Sequence, residues 1–478
     1  MSGRSNLHKL ENLMSFLANP YALVIFVMIA AAISLSISNR SVTLESFFNG
    51  KNFGSEPSLW TLILSQVTTW IFARSLLNAA ILGYFYGLAG TLAYTFYYIS
   101  FLTGGFIVSR IRQEGANSVQ EWLGNYFGKI GHWTYNFLVV LRLLSEVFAN
   151  LIVIGLIFSS AFPEFEISGQ IAIFVVGIIG LLYSAKGGFQ ASLKTDVFQM
   201  VIFLIVFSIC FLWMILSIDF SISSILEFDG VHDQGARPGY VLICVALLQV
   251  FSYPAHDPVM MDRGFIASQK KTNYSFILAF IISTVCIFSF GLFGIQAGVI
   301  GYGYENQLLG TWQNMFGPAM YFFLMCSLLI SAMSTLDSAL ASSARLVVDE
   351  FQLFERNIFN GRIVMSFFML FGILFTLFPN QSLFDAVAVT GTASMFLTPV
   401  ILITFLGGKI PIWAYSITWM CSMIGAFAYI FRDSAIVMYL LPSLHKYDQL
   451  LSICLYIILF GFLVCILGSF FNRFVAKN

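Results

Sequence analysis

The chain has 478 residues, 59% of them hydrophobic and only 10% charged, and its 23 basic and 23 acidic side chains balance to a formal net charge of zero. With a mean hydropathy of +0.86, this composition excludes a soluble protein of that size and implies a polytopic membrane protein, apolar wherever it meets lipid. The few Lys and Arg are dispersed, so no nucleic-acid-binding patch is expected. All seven cysteines lie in apolar runs and the five histidines are scattered, which argues against a disulfide framework or a metal knuckle.

Apolar runs long enough to span occur at 20–38, 57–82, 88–109, 132–162, 169–184, 196–217, 238–262, 273–299, 314–344, 363–378, 382–407, 411–430 and 449–471, thirteen in all. The first is not read as a cleaved signal, because a largely polar stretch of nineteen residues precedes it and no clear cleavage site follows. Orientation follows from the Lys and Arg in alternate loops. With the N-terminus outside and the C-terminus inside, sixteen fall in the cytoplasm, including Arg40, Lys51, Arg263, Arg473 and Lys477, and five fall outside: Arg4, Lys9, Arg237, Arg432 and Lys446. Between the spans, residues 113–131 are amphipathic and predicted to lie along the cytoplasmic interface, anchored by Trp122 and Tyr126. The acidic, turn-rich segment 218–237 reads as a solvated extracellular loop or lid.

Ionisable groups at membrane depth are functional hypotheses by default, and Arg74, Arg142, Glu146 and Asp337 qualify. Arg142 and Glu146 stand four apart on one helix, where they can pair along it, with Glu146 near the midplane and Arg142 about 6 Å towards the cytoplasm. If Arg142 neutralises Glu146, Arg74 is left to receive a substrate carboxylate bidentately. If Arg74 takes Glu146 instead, that pair is architectural. Tyr94, Tyr97 and Tyr98 crowd the next helix, where they either line a pocket or pack the core.

Further along, Gly187 and Gly188 allow a tight bend between helices and bring Asp196 to the cytoplasmic mouth of the 196–217 run. In the 238–262 run, Pro254 and Pro258 remove two backbone donors and free carbonyls near them. Ser334 and Thr335, mid-span in 314–344, either bond back to carbonyls one turn earlier or present hydroxyls to an ion.

Several of these stretches resemble one family. Tyr183, Gly187, Gly188, Ala191, Thr195, Asp196 and Gln199 fall on the spacing YxxxGGxxAxxxTDxxQ of the sodium:solute symporter family, which includes sodium/proline and sodium/sugar cotransporters. Residues 43–51 resemble its cytoplasmic TxEEFFLAGR loop, and Ser331–Ser338 closely resembles its AxMSTLxS element, with Ser331 in place of the usual Ala. Thr390–Pro399 resembles its small-residue stretch before GP, with Thr398 for Gly. The likeness covers about residues 40–410.

The resemblance implies a leucine-transporter-type fold. Its core would be five spans (57–217) and five more in inverted orientation (238–407), separated by the extracellular loop 218–237. Residues 1–56 would hold the first span and a cytoplasmic loop, and 408–478 two C-terminal spans. It also implies a sodium site made by the carbonyls of Thr68, Ile71 and Ser331 and the hydroxyls of Ser334 and Thr335. Tyr253, ten residues before Arg263, occupies the place where sugar symporters of the family cap substrate. Arg74, Ser75, Tyr94, Tyr97, Ser252 and Tyr253 are then the substrate candidates, and Arg142, Glu146, Asp196 and Asp337 the coupling or structural ones.

The expected function is sodium-coupled symport of a small organic solute across the plasma (cell inner) membrane by alternating access. An amino acid such as proline is favoured, because thirteen spans suit the proline-type branch. The Trp70 region and Tyr86–Gly90 also resemble the family's urea transporters, and urea, organic acids and sugars stay as alternatives. A membrane-embedded solute sensor is a rival of another class, although no signalling domain is seen after the last span. No nucleophile–base constellation points to an enzyme. Sodium and the solute are the expected ligands and the lipid bilayer the expected surroundings. The solute's identity and the oligomeric state are not legible.

Overall fold

The structure, a computed structural model, describes residues 14–38, 42–51, 55–377, 383–443 and 445–475. The charges assigned to Arg4, Lys9, Arg40 and Lys477 lie outside the described residues. Every regular element among the described residues is helical, as lipid requires of a chain that must satisfy its own backbone groups. Among the described residues eight helices are long and apolar enough to cross a membrane, and Tyr21–Ile37, Leu59–Thr68 and Arg237–Gln249 are shorter apolar helices.

In chain order the elements are α1 (Tyr21–Ile37), α2 (Leu44–Asn49), α3 (Leu59–Thr68), α4 (Ala73–Phe96), α5 (Ser100–Gln113), α6 (Val119–Ala161) and α7 (Ser168–Ile215). There follow α8 (Ile222–Glu227), α9 (Arg237–Gln249), α10 (Ser252–Ala255), α11 (Pro258–Gly264), α12 (Gln269–Ile300), α13 (Leu309–Met315) and α14 (Pro318–Arg345). The chain closes with α15 (Ile358–Phe375), α16 (Leu383–Ser394), α17 (Leu397–Phe405), α18 (Ile412–Ile430), α19 (Ala435–Leu440) and α20 (Lys446–Val475).

At 48 residues, α7 would measure about 72 Å if straight, more than twice the roughly 30 Å hydrocarbon core. It bends at Gly188, with φ 62° and ψ −148°, a conformation closed to residues bearing a Cβ. A Cβ there would also stand 2.5 Å from the Phe47 ring of α2. Gly187, read from sequence as half of the bend, has no such φ. Gly87 and Gly128 interrupt α4 and α6 in the same conformation.

Among the described residues the span containing α14 and the one at Ala388–Phe405 are the most enclosed, each 89% buried over its apolar window, against 33% for α7. The first of them is the central helix. It packs chiefly on α7 and α6, while α4 packs on α12 and α9. Among the described residues three helical stretches are interrupted. The first breaks at residues 69–72 between α3 and α4, the second at 250–251 and 256–257 around α10, and the third at 395–396 between α16 and α17. Pro258 opens α11, and the Asp257 side chain caps it by accepting from the Met260 N–H at 3.0 Å. Pro254 sits inside α10 and does not mark a break itself.

Two expectations are corrected. Trp122 does not anchor at the interface: it is buried, its indole N–H donating to Glu114 at 2.6 Å, and only Tyr126 is exposed. The 218–237 segment is not simply solvated. It contains α8, and the amides of Val231 and His232 donate to the carbonyls of Tyr84 and Phe85 at 3.2 and 3.1 Å, which ties the segment to α4 beside its Gly87 interruption.

Candidate functional site

The first two breaks meet face to face. The Trp70 indole N–H donates to Asp257 at 3.0 Å, its ring stands edge-on to Tyr253 at 5.2 Å, and its carbonyl accepts from the Tyr98 hydroxyl at 2.6 Å. Gln66 reaches the carbonyl of Met260 at 3.4 Å. Carbonyls released from helical bonding thus lie next to polar side chains in a fully buried layer.

Central helix α14 brings its oxygens to the first break. The Ser331 hydroxyl donates to the Ile71 carbonyl at 2.5 Å, and the Thr335 hydroxyl to the Ser331 carbonyl at 3.1 Å. Thr68, at the end of α3, turns its hydroxyl onto the Ser65 carbonyl at 2.7 Å. Ser334 departs from this set by donating to Asp196 at 3.0 Å. Neutral hydroxyls and carbonyls are hard donors that need no deprotonation, which suits a monovalent cation such as sodium. Of the residues read from sequence as the ion set, the structure links Ile71 and Ser331 directly, bonds Thr335 back to the Ser331 carbonyl one turn earlier, and turns Ser334 towards a carboxylate.

Asp196 is not at a solvated mouth. It is fully buried and paired with Arg263 at 2.8 Å, and it also accepts from Ser65 at 2.5 Å and from Ser338 at 3.1 Å. Arg263, assigned from sequence to the cytoplasm, donates as well to Ser65, to Ser338 and to the Val259 carbonyl. One ion pair therefore ties α3, α7, α11 and α14 together. Asp337 lies beside it, accepting from Thr195 at 2.6 Å and from Ser192 at 3.4 Å.

On the other side of the break, Arg142 of α6 bonds Glu146 at 2.8 Å and Asp257 at 2.7 Å. Both Arg142 and Arg74 lie over the ring of Phe72, at 5.9 and 5.0 Å. The two readings of Arg74 divide here, because Glu146 is held by Arg142. All three Arg74 nitrogens are buried and have no hydrogen-bond partner among the described residues. Neither has Oε2 of Glu146.

Aromatic side chains complete the layer. The Ser75 hydroxyl meets Tyr94 OH at 3.1 Å, and Tyr97 OH donates to Gln249 at 2.8 Å. Tyr253 packs on Trp70, Tyr97 and His256. Ser252 bonds back to the Gln249 carbonyl at 3.3 Å. Gln249 and Asp257 were missed from sequence. Their signal was position alone, a polar residue flanking each end of the Pro254–Pro258 interruption. Gly391, within the small-residue stretch 390–399, faces this layer: a Cβ there would stand 2.8 Å from Gln249 and 3.0 Å from the Tyr253 ring.

No protein-family model and no curated protein matches the chain. Its fold does match solved structures, 141 chains among them. One is a Na+-coupled sialic acid symporter in a substrate-bound, outward-open state, with a TM-score of 0.70 over 94% of this chain and 97% of that one, at 15% identity. The chain therefore has the helical fold of a sodium-coupled symporter.

Proposed function

We propose that the protein is a sodium-coupled symporter of a small organic solute, an amino acid such as proline being favoured, working by alternating access in the plasma (cell inner) membrane. The observation that carries this reading is the direct link between the broken first helix and the central helix, from Ser331 to the Ile71 carbonyl with Thr335 one turn on. Sodium is the transported co-substrate. On this reading it bridges carbonyls of Thr68, Ile71 and Ser331 and the hydroxyls of Ser334 and Thr335. It thereby joins two elements that separate when the site opens to the other side. The solute occupies the adjoining layer of Arg74, Ser75, Tyr94, Tyr97, Ser252 and Tyr253, and the Asp196–Arg263 pair holds the scaffold.

The full architecture belongs to the same proposal. It has thirteen spans with the N-terminus outside and the C-terminus inside. Inverted units at 57–217 and 238–407 flank the loop 218–237, with segments 1–56 and 408–478 outside the core. One charge crossing 100 mV supplies about 2.3 kcal/mol, enough for roughly fiftyfold accumulation of a neutral solute. The test is uptake into proteoliposomes under an inward sodium gradient, with potassium replacing sodium in the control. Accumulation above the external concentration that collapses with the gradient is the expected result. Uptake indifferent to sodium, or binding without transport, would overturn it.

A further inference from the structure

We propose that the solute is a zwitterion of the amino- or imino-acid kind, its carboxylate received by Arg74 and its ammonium by Oε2 of Glu146. The inference rests on the symport reading and names the substrate chemistry of the same site.

Two orphaned atoms of opposite charge carry it. An arginine keeps its charge in a protein, and Arg74 is fully buried with all three nitrogens unpartnered among the described residues. The Phe72 face, 5.0 Å away, offsets only part of that cost. Glu146 uses Oε1 for Arg142, while its other oxygen is buried and unpartnered. Arg74 and Glu146 lie within electrostatic reach of each other, yet they do not pair. Arg142, also over the Phe72 ring, holds Glu146 and Asp257 together. A ligand carrying both charges satisfies both orphans with charge-assisted bonds.

The charge of the ligand points the same way. A zwitterion adds no net charge to this fully buried layer. A monocarboxylate would satisfy Arg74, add a net negative charge in a low dielectric, and leave Glu146 unpaired. A sugar or urea would offer only dipoles to two full charges.

The experiment uses the full chain in lipid nanodiscs and measures binding in sodium and in potassium. The probes are the twenty proteinogenic amino acids, L-prolinamide, N-acetyl-L-proline, lactate, urea and glucose. For whichever amino acid binds, its amide and N-acetyl forms are added. Sodium-dependent binding of at least one amino or imino acid is expected. Blocking either charge should weaken it by about tenfold or more, as loss of a hydrogen bond to a charged group implies. Arg74→Lys should lose affinity for the zwitterion, because a point charge cannot reproduce the planar fork. Glu146→Gln should narrow the preference for the amino acid over its desamino counterpart. If that variant does not fold, the ligand series on the unaltered protein decides. Sodium-dependent binding of urea, glucose or lactate instead, or of an amino acid whose affinity survives N-acetylation, would overturn the zwitterion and leave symport standing. Binding of no probe in a sodium-dependent manner would overturn both.

Discussion

Arg263 and Arg74 are both fully buried arginines in helices that line the same layer, and their circumstances are opposite. Arg263 spends its donors on Asp196, Ser65, Ser338 and the Val259 carbonyl. Arg74 has none of its nitrogens bonded among the described residues. A charge taken out of water is tolerated when its partners are built in, and Arg263 is of that kind: removing its partner would strand it. A charge whose partners are not built in holds nothing together and is available to something that arrives. On the proposed reading the first arginine is part of the scaffold and the second is a recognition element.

The largest expected effect attacks the scaffold. Asp196→Ala leaves Arg263 charged and unpaired, which costs about 3–5 kcal/mol for a buried pair. The variant should melt far below the parent in detergent or fail to accumulate in the membrane. An unchanged melting temperature would mean that the pair does not bind the four helices. Substitutions at the ion set should act next. Ser334→Ala and Thr335→Ala each remove one oxygen from the proposed sodium set, and each should raise the sodium concentration for half-maximal uptake severalfold. Ser334 also serves Asp196, so its variant should lose stability as well, by about 1 kcal/mol, whereas Thr335→Ala should not. Unaltered sodium dependence in both would remove the site from α14.

Arg74→Ala sharpens the contrast because little should happen to stability. An orphaned buried charge is lost, so the melting temperature without solute should hold or rise while solute binding disappears. A fall as large as that of Asp196→Ala would show that Arg74 is paired after all. The smallest effect concerns the outer cluster, where His445 lies beside Tyr86, His232 and Tyr447. Burial, helped by the neighbouring His232 and Lys446, lowers its pKa from 6.5 to about 4, and Asp448 opposes that shift. The folded protein thus resists a proton that the unfolded chain accepts. Stability should be full above pH 6.5 and decline as the pH falls towards 4. Melting curves of the parent and His445→Gln across that window check it, and the substituted protein should show the flatter profile.

The all-helical, membrane-spanning character was legible because lipid demands apolar runs. A spacing of four on one helix offered the Arg142–Glu146 contact, but the sequence reading leaned towards Arg74 as the partner of Glu146, and the structure gives Glu146 to Arg142 instead. What escaped the sequence is long-range. Asp196 and Arg263 each sit at the end of an apolar run, where a charge ordinarily meets water. Only the packing of α11 against α14 and α3 turns both ends inward. The second tie of Arg142, to Asp257, joins residues far apart in the chain, and no periodicity announces it. The break at 395–396 has no proline or glycine at the break itself. Trp122 was read as an anchor from composition. Its indole instead satisfies Glu114 from the inside, a choice decided by the neighbouring helix ends.

The single-residue bend at Gly188 bears on how the protein is made. Spans joined by a long loop can be threaded through the insertion machinery one after the other, and each can in principle settle its own direction. The two halves of α7 are joined by one glycine, so neither can reverse without carrying the other. On the proposed topology they form one hairpin, whose shared end carries Lys186 and Lys194 close to the bend. The positive charges that select a side are therefore read once for two helices. Moving them should invert the pair together or prevent its insertion altogether.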